Sequence, residues 1–238
     1  MTSAIPGVQP GQPQTSPPNL IRADLHNHTY FSPDSILSPE QVVERVHRAG
    51  LDCIAITDHN TVRGGLAVRE IADGFQVIVG EEVRTADGEV LGLFLEEDIP
   101  RGLPARETIA LIKAQGGIVG VPHPFDHLRS ALNEAEMEAL IAEIDFIEAL
   151  NSRIVFAVHN KLALEFARRH DKPVSAASDA HSPREVGRSY VEMPPFTGPG
   201  DFLESLRQGR LVGRLSSPLI HVVSRYATIR HKLGWKPG

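Results

Sequence analysis

From residue 20 onward, short apolar runs rich in β-branched residues alternate with segments of helical periodicity, and this alternation is what most restricts the possible folds. The apolar runs predict strands at 53–57, 76–79, 90–95, 118–121, 146–150 and 173–177. The helical patterns predict helices between Ser38 and Gly50 and at 106–115, 133–144 and 154–169. Because strands separated by helices usually pair in parallel, we predict an α/β fold. We expect a TIM-like barrel whose functional residues lie at the carboxyl ends of its strands.

Acidic and histidine residues come directly after four of the predicted strands. They are Asp58 and His59, Glu81 and Glu82, His123, and Asp179 and His181. In a barrel the carboxyl ends of the strands meet on one rim, so these side chains are expected to share one pocket. Imidazole and carboxylate ligands without thiolates suit zinc, manganese or iron, and a carboxylate can bridge two ions. The pattern therefore predicts a centre that holds more than one metal ion.

A further pair of histidines, His26 and His28, lies in the segment 24–29, whose sequence is Asp-Leu-His-Asn-His-Thr. Read as a strand, this segment places both imidazoles on one face, where they can bind one metal ion. The pair by itself is weak evidence for a metal site. Its weight comes from the acidic and histidine groups that follow it along the chain.

Several of these positions also have an ordinary structural interpretation. Asp58 could cap the next turn, Glu81 could be a surface acid beside Glu82, and His127 is expected to be a loop residue within reach of a substrate. Histidines without a partner at ligand spacing are expected to be ordinary surface or packed residues: His47, His159, His170, His221 and His231. The two interpretations compete at each single residue, and the joint pattern favours the metal site.

The composition excludes several classes of protein and site. The 238 residues, 41% of them hydrophobic, are enough to bury a sizeable core, and we expect one main domain. The net charge of -6 and the scattered Lys and Arg residues argue against duplex nucleic acid as a partner. The one cysteine, Cys53, excludes an intrachain disulfide and a multi-thiolate zinc site, so a cytoplasmic location is expected. No apolar run reaches the roughly 18 residues needed to cross a bilayer, so no membrane span is expected.

Three segments are predicted along the chain. Residues 1–19, rich in Pro, Gly and Gln, are expected to form a flexible tail, and residues 20–215 the barrel domain. Near the end of the barrel domain, a helix at 200–208 and a short strand at 211–213 are predicted. Residues 216–238 contain a basic amphipathic helix that is expected to pack on the barrel, with binding to a partner or to an anionic surface as the alternative. The sequence does not indicate the oligomeric state.

Five short motifs, taken in order, carry a resemblance to a known family. The segments 24–29, 56–60, 80–82, 122–124 and 178–181 resemble the motifs of the PHP family, the polymerase and histidinol phosphatase domain. The resemblance extends from about residue 20 to residue 211, and five ordered motifs are much more specific than any one of them. It implies a distorted (β/α)7 barrel that carries up to three metal ions on its rim.

Carried over onto this sequence, the family's ligand pattern implies three metal positions. A first ion would be held by His26, His28, Glu82 and Asp179. Glu82 would bridge to a second ion that also uses His123, and a third ion would be held by Asp34, His59 and His181. Family members usually supply one more histidine between the glutamate and Pro-His-Pro motifs. This sequence has none there, and Glu89 stands near the expected place.

A cluster of this kind favours the hydrolysis of a phosphate ester, with two or three divalent ions (Zn, Mn or Fe) as cofactors. Metal ions lower the pKa of bound water, so a hydroxide shared between two ions is a nucleophile near neutral pH. The departure of the leaving oxygen would be assisted by Asp58, by His181 or by the third ion. Arg153, after a predicted strand, and Arg184, shortly after His181, are the candidates for gripping the phosphate.

Three functions are compatible with this pattern. The first and most favoured is a metal-dependent phosphoesterase that acts on a small phosphorylated molecule. The second is an exonuclease or phosphodiesterase that acts on oligonucleotides. The absence of a basic stripe and the aromatic content of 5% lower this second possibility. The third is a non-catalytic metal-binding interaction module, and the nearly complete set of ligands argues against it.

Overall fold

A computed structural model describes residues 20–217 and 220–234. Its strands are β1 Ile21–Asp24, β2 Cys53–Ile56, β3 Gln76–Arg84, β4 Glu89–Leu93, β5 Ile118–Val121, β6 Phe146–Asn151, β7 Val174–Ala177, β8 Ser189–Met193 and β9 Arg210–Gly213. Its helices are α1 Pro39–Ala49, α2 Arg63–Ile71, α3 Ala105–Ala114, α4 Glu134–Leu140, α5 Val158–Arg169, α6 Pro199–Arg207 and α7 Ile220–Lys232. The predicted tail at 1–19, residues 218 and 219, and the last residues of the predicted C-terminal segment, 235–238, lie outside the described residues. None of the helices in the described ranges combines the length and apolar character needed to span a membrane.

The strands form one sheet in the order β7-β6-β5-β4-β3-β2-β1-β8-β9. β1, β2 and β3 pair in parallel, as do β5, β6 and β7, and β4 runs antiparallel between the two sets. β8 and β9 extend the sheet beyond β1 as antiparallel strands. The alternation of strands and helices in the sequence predicted the α/β class. The expected mostly parallel pairing holds for β1 to β7, where four of the six pairings are parallel, but not for the whole sheet, in which four of eight are antiparallel.

The two edges of the barrel meet just beyond β1 and β7. Asn27 bridges to Ala180, the His28 N–H donates to the Ala180 carbonyl at 2.9 Å, and the Asp179 N–H donates to the His26 carbonyl at 2.8 Å. We call this junction, formed by residues 26–28 and 179–180, the seam. It leaves the barrel nearly closed, and the predicted distorted TIM-like barrel is confirmed.

Local signals fix the ends of α1 where the sequence predicts them. The Gln41 N–H donates to Ser38 Oγ and the Ser38 N–H donates to the Gln41 side chain, a capping box with Pro39 as the first helical residue. Gly50 ends the helix with φ 63°, a left-handed value that glycine adopts without strain. The helix then buries Val42 against the barrel.

Two strand ends differ from the prediction, and both differences concern the rim. β1 ends at Asp24, so His26 and His28 lie beyond it, because their backbone pairs across the seam. β3 continues to Arg84, so Glu81 and Glu82 lie inside a strand rather than after one. The reason is that the antiparallel β4 pairs with this polar end of β3 as well.

The sequence patterns also miss two elements. Gly64 and Gly65 read as helix breakers, but they are buried in α2 where the helix approaches the barrel closely. β8 pairs with β1 and β9 on the outside of the seam. Two predicted helices are shorter than expected, since α4 ends at Leu140 and α5 begins at Val158.

Apolar side chains at alternate strand positions fill the barrel. Cys53 and Ala55 of β2 belong to one buried cluster, while Ile54 and Ile56, on the opposite face, pack with helices in another. Phe146 fits into the first cluster because Gly120 on the neighbouring strand has no side chain. A Cβ atom at that position would overlap the Phe146 ring. The packed barrel therefore presents a fixed rim to the side chains that lie at the carboxyl ends of its strands.

Candidate metal centre

The rim carries a cluster of histidines and carboxylates that come from separate parts of the chain. They follow β1, β2, β5 and β7 or belong to β3, and they are His26, His28, Asp34, His59, Glu82, His123, Asp179 and His181. Most of these side chains are buried, while Asp34 and His59 are partly exposed. The structure thus brings together in one place the residues that the sequence predicted as ligands.

Glu82 lies at the centre of the cluster. Its Oε1 atom is 2.9 Å from His123 Nε2. Its Oε2 atom lies 3.4 Å from His26 Nε2, 3.3 Å from His28 Nε2 and 3.1 Å from His59 Nδ1. One carboxylate therefore contacts four imidazoles through its two oxygens, which is the geometry of a bridging ligand.

Within the described residues, three groups of side chains have ligand atoms close enough together to hold a metal ion. They are His26, His28 and Glu82; Glu82, Glu89 and His123; and His28, His59 and His181. In each group the ligand atoms lie within 4.8 Å of one another. The groups share Glu82 and His28, so ions bound at them would be neighbours.

The hydrogen bonds of His26 and His28 show that this pair suits a cation. His26 Nδ1 lies 3.0 Å from the Glu148 carboxylate, and His28 Nδ1 lies 3.1 Å from Ser32 Oγ, whose own proton goes to another carboxylate at 2.6 Å. Both Nδ1 atoms are thus donors, and both Nε2 atoms present lone pairs. These two Nε2 atoms are 3.0 Å apart and face the Glu82 carboxylate. Such an arrangement is repulsive unless a positive charge lies between the groups, so these residues fit a metal ion.

His181 and Asp34 show the same feature on the outer side of the cluster. His181 Nδ1 donates to the Asp179 carbonyl at 2.8 Å, which leaves its Nε2 lone pair 3.1 Å from Asp34 Oδ2. His59 Nε2 lies 3.6 Å from the same oxygen. A cation at this point would satisfy all three groups.

The electrostatics of the cluster also favour positive charge. Burial opposes ionisation, yet the charges of His26 and His59 hold the pKa of Glu82 well below its usual range. Burial likewise opposes protonation of the imidazoles, but Glu148 and Glu82 hold the pKa of His26 well above its usual range. Glu82 and Asp34 raise the pKa of His59 to about 10. By contrast, burial together with His181 and His59 holds the pKa of His28 well below its usual range. The cluster therefore combines an ionised carboxylate with an unprotonated imidazole, the forms in which these groups bind metal ions.

Glu148 is a functional residue that the sequence analysis missed. It is buried in β6, where its Oε1 atom accepts from His26 Nδ1 and its Oε2 atom accepts from the His123 N–H at 2.6 Å and from Asn151 Nδ2 at 2.9 Å. One carboxylate therefore orients two of the candidate ligands. The signal was present in the sequence, because an ionisable residue inside an otherwise apolar buried strand needs a partner.

Arg129 is a second residue that the sequence analysis missed. Its Nη1 atom forms an ion pair with Asp179 Oδ2, and its Nε atom lies 3.6 Å from Asp126 Oδ2. Burial opposes its charge, but Asp179 holds the pKa of Arg129 above its usual value. Arg129 follows β5 in an irregular segment, and nothing in its spacing distinguishes it from a surface arginine.

Asp58 lies in a different place from the one its predicted catalytic role requires. Its carboxylate accepts hydrogen bonds from Thr29 N at 2.7 Å, from Thr29 Oγ1 at 2.6 Å and from Ser32 Oγ at 2.6 Å. Burial raises the pKa of Asp58 to about 6, and the residue does not line the cavity beside the cluster. Asp58 therefore fixes the segment after β1 that carries His28, rather than facing a substrate.

A cavity of about 680 Å³ opens onto the cluster. Asp34, His59, Glu82, His123, Asp179 and His181 line it, together with residues of α7. Of the two arginines that the sequence predicted for phosphate binding, Arg153 lines this cavity and forms a 2.7 Å ion pair with Glu185. Arg184 is exposed and does not line the cavity, because it lies in a turn beyond the rim.

Three residues at the rim have a left-handed backbone conformation, which residues other than glycine rarely adopt. They are Asn60 with φ 56°, His123 with φ 28° and Asp179 with φ 52°. Two of them are candidate ligands. Such conformations persist when the surrounding structure holds them, and they are frequent at functional sites.

Comparison with known families agrees with this geometry. A family model described as PHP domain matches residues 24–178, and a second model, described as PHP-associated, matches residues 158–211. The chain belongs to the PHP family. The PHP match covers the first four motifs and reaches the first residue of the fifth, Ser178, and the predicted resemblance is confirmed.

Three proteins similar to this chain illustrate the range of the similarity. An uncharacterized protein of Methanocaldococcus jannaschii is 37% identical over 156 residues, which cover 60% of this chain and 90% of that protein. The phosphoribosyl 1,2-cyclic phosphate 1,2-diphosphodiesterase of Eggerthella lenta is 39% identical over 85 residues, 32% of each chain. A two-domain protein of Bacteroides vulgatus that contains a predicted PHP-like metal-dependent phosphoesterase superimposes with a TM-score of 0.69 at 21% identity. That alignment covers 87% of this chain and 70% of the other, and it supports the fold.

Glu89, which stands near the place where the sequence lacks the family's usual histidine, lies beside the candidate centre. Glu89 begins β4, is buried, and groups with Glu82 and His123. Its carboxylate lies 3.6 Å from Arg84 Nη1 at the mouth of the cavity. With Glu82 and Glu89, this group offers two carboxylates beside one imidazole, a ligand set that would suit manganese or iron as well as zinc.

Proposed function

We propose that this PHP domain is a metal-dependent phosphoesterase that hydrolyses the phosphate ester of a small molecule. The observation that supports the proposal most is that the three overlapping ligand groups open onto the same cavity as Arg129. A cavity of about 680 Å³ is much larger than a phosphate group and falls in the range typical of pockets for small molecules. The family membership supports the same class of reaction.

The ligand residues hold two or three divalent ions (Zn, Mn or Fe) in this proposal. When bound, the ions lower the pKa of water and neutralise charge on phosphoryl oxygens. The first position uses His26, His28, Glu82 and Asp179, the second Glu82, Glu89 and His123, and the third Asp34, His59 and His181. Glu148 keeps His26 in the tautomer that offers Nε2 to the metal.

Arg129 takes the role of binding the phosphoryl group. Its guanidinium lines the cavity and is held in place by Asp179 and Asp126. These ion pairs use its Nη1 and Nε atoms, so the remaining N–H groups of Arg129 donate to a phosphoryl oxygen and orient the ester for attack from the side of the metal centre. Arg184, the other arginine predicted to bind the phosphate, lies outside the cavity and has no part in this proposal.

His181 is the residue that we assign to the leaving group. It lines the cavity, and Asp34 Oδ2 lies 3.1 Å from its Nε2 atom. The Asp58 carboxylate, by contrast, accepts hydrogen bonds from Thr29 and Ser32 and does not line the cavity. With two ions bound, His181 Nε2 donates a proton to the departing oxygen in this proposal; with a third ion bound, His181 would hold that ion instead.

The test combines metal analysis with hydrolysis assays on the purified protein. We expect two or three bound ions per chain, metal-dependent hydrolysis of an aryl phosphate with added manganese or zinc, and loss of both properties in Glu82→Ala. His47→Ala, a matched change of an exposed histidine on α1, is expected to leave both properties unchanged.

A phosphodiester assayed in parallel separates the leading proposal from its alternative. The Eggerthella lenta relative is named for action on a small cyclic phosphodiester, so a cyclic diester and a single-stranded oligonucleotide both belong in the assay. Preference for the oligonucleotide would favour the exonuclease. Bound metal without turnover of any ester would favour the interaction module and overturn the proposed function.

A further inference from the structure

Helix α7 forms part of the wall of the cavity beside the metal centre. Ser224, Arg225 and Thr228 line this cavity. Arg153 Nη2 donates to Ser224 Oγ at 2.7 Å, and Ala227, between the lining residues, is fully buried. The helix is thus anchored so that one of its faces looks into the space where a substrate would lie.

The arginines that line the cavity differ in their partners. They are Arg84, Arg129, Arg153 and Arg225. The first three form ion pairs with Glu89, with Asp179 and with Glu185. Arg225 makes no hydrogen bond or ion pair with any residue in the ranges 20–217 and 220–234, and its side chain is exposed at the cavity. Its charge is therefore available to a ligand.

A further donor accompanies Arg225 on this wall. Ser224 Oγ accepts the hydrogen bond from Arg153, which leaves its own hydroxyl proton to donate. Arg153 is itself held by its ion pair with Glu185, so it keeps Ser224 in place beside the cavity. The exposed guanidinium of Arg225 and the hydroxyl of Ser224 together suit an anion.

We propose that Arg225 and Ser224, supported by Arg153, form a subsite for a second anionic group of the substrate, a carboxylate or a further phosphate. This inference rests on the proposed function, since it assigns Arg129 and the metal centre to the phosphate that is cleaved. The cavity has room for both groups and for the part of the molecule that joins them. The favoured substrate is therefore a small phosphate ester that carries a second negative charge away from the ester.

The test measures binding with a matched pair of ligands that cannot be hydrolysed. Phenylphosphonate lacks the second anion, and 3- and 4-carboxyphenylphosphonate carry it. With metal-loaded wild-type protein, calorimetry is expected to show about tenfold tighter binding of a carboxylated ligand than of phenylphosphonate. Arg225→Gln is expected to abolish this difference while changing the affinity for phenylphosphonate less than about twofold.

Two further variants separate the effect of the proposed subsite from a general loss of charge on α7. Lys232→Gln removes the same charge from an exposed residue of α7 outside the cavity and is expected to preserve the tenfold difference. Ser224→Ala is expected to reduce the difference without changing the charge of the helix. If wild-type protein does not prefer the carboxylated ligands, or if Arg225→Gln weakens all ligands equally, the subsite proposal is wrong.

The same ligand pair distinguishes this proposal from the proposed function. Phenyl phosphate and the carboxyphenyl phosphates are assayed for turnover under the same conditions. Discrimination in binding without turnover of any ester would leave the subsite standing and overturn the phosphoesterase. Turnover of all esters without discrimination would do the reverse.

Discussion

At the scale of single residues, Glu148 determines which nitrogen of His26 is offered to a metal ion. We expect Glu148→Gln to lower metal affinity by about 10-fold to 100-fold, because the neutral amide no longer favours the Nδ1–H tautomer and no longer holds His123 as firmly. Titration against a competing chelator measures this loss. Glu165→Gln, on the exposed side of α5, is the matched control and should bind metal as the wild type does. Unchanged affinity in Glu148→Gln would contradict the orienting role.

Glu81 gives a prediction about pH. Its Oε2 atom accepts from the Ile99 N–H at 2.8 Å, and burial raises its pKa from 4.5 to about 8. Because the folded pKa lies above the unfolded one, the protonated form is favoured by folding, and stability falls as pH rises from about 4.5 to about 8. Glu81→Gln cannot ionise. It should be more stable than wild type by on the order of 2 kcal/mol near pH 9 and by almost nothing near pH 5. Urea unfolding at both pH values measures the difference, and an equal gain at both would contradict the prediction.

The sequence allowed the candidate ligands to be predicted better than the residues that support them. His59, His123 and Asp179 were predictable because each follows a recognisable strand in a short motif. Glu148 contacts His26 across 122 positions of sequence, so its partner depends on the closed barrel. Arg129 was not predictable for the same reason, since its role comes from Asp179 on another strand end.

At the scale of elements, α2 packs so closely on the segment after β1 that one of its residues must be glycine. A Cβ atom at Gly64 would overlap the Asp58 carboxylate and Thr29 Oγ1. We expect Gly64→Ala to destabilise the protein by about 2 kcal/mol and to weaken metal binding, because Asp58 and Thr29 fix the segment that carries His28.

The control for this prediction is the same substitution in another helix. A Cβ atom added at Gly200 in α6 would meet no other atom within 4 Å, so Gly200→Ala should be neutral or slightly stabilising. Thermal unfolding and metal titration of the two variants give the comparison. Equal behaviour of both would show that the contact of Gly64 with Asp58 has no energetic consequence.

Elements with strong local signals were predicted well, and those shaped by tertiary contacts were not. α1 was predictable because Ser38, Pro39 and Gly50 mark its two ends. The polar end of β3 did not look like a strand, since Glu81 and Glu82 are buried there only through pairing with β4 and contacts at the rim. α2 was missed because two adjacent glycines lower helix propensity, a local cost that close packing outweighs.

At the scale of the whole molecule, the metal centre crosses the seam of the barrel. His26 and His28 lie on one side of the seam, and Asp179 and His181 lie on the other. An ion bound by residues from both sides holds the two edges together. The barrel is therefore expected to depend on metal for its closure as well as for its chemistry.

Metal removal tests this dependence. We expect a chelator to lower the melting temperature by about 10 °C, because a ligand that binds only the folded state stabilises it. Amide exchange should accelerate strongly at His28 and Asp179, whose N–H groups donate across the seam, and little at Gln76, which pairs with Asp52 at the start of β3. Uniform acceleration at all three amides would show that the metal does not act at the seam.

The class of the fold was predictable from the sequence, whereas the direction of one strand was not. The predicted strands at 76–79 and 90–95 left residues 80–89 between them, and this length did not determine whether the second strand runs parallel or antiparallel to the first. In the structure only residues 85–88 separate β3 from β4, too few for a crossover between parallel strands, so β4 must run antiparallel. Because the polar end of β3 was not recognised as part of a strand, the short connection to β4 and the antiparallel direction of β4 were not predicted.

The left-handed backbone at His123 and Asp179 has a consequence for the evolution of this protein. Each such conformation costs roughly 1–3 kcal/mol, and glycine would remove most of that cost. The chain has a histidine and an aspartate at these positions, so without metal its free energy of unfolding is lower than it would be with glycine there. Because bound metal also stabilises the folded barrel, laboratory selection for thermotolerance should favour glycine at these two positions only when metal is withheld, and should preserve His123 and Asp179 when metal is supplied.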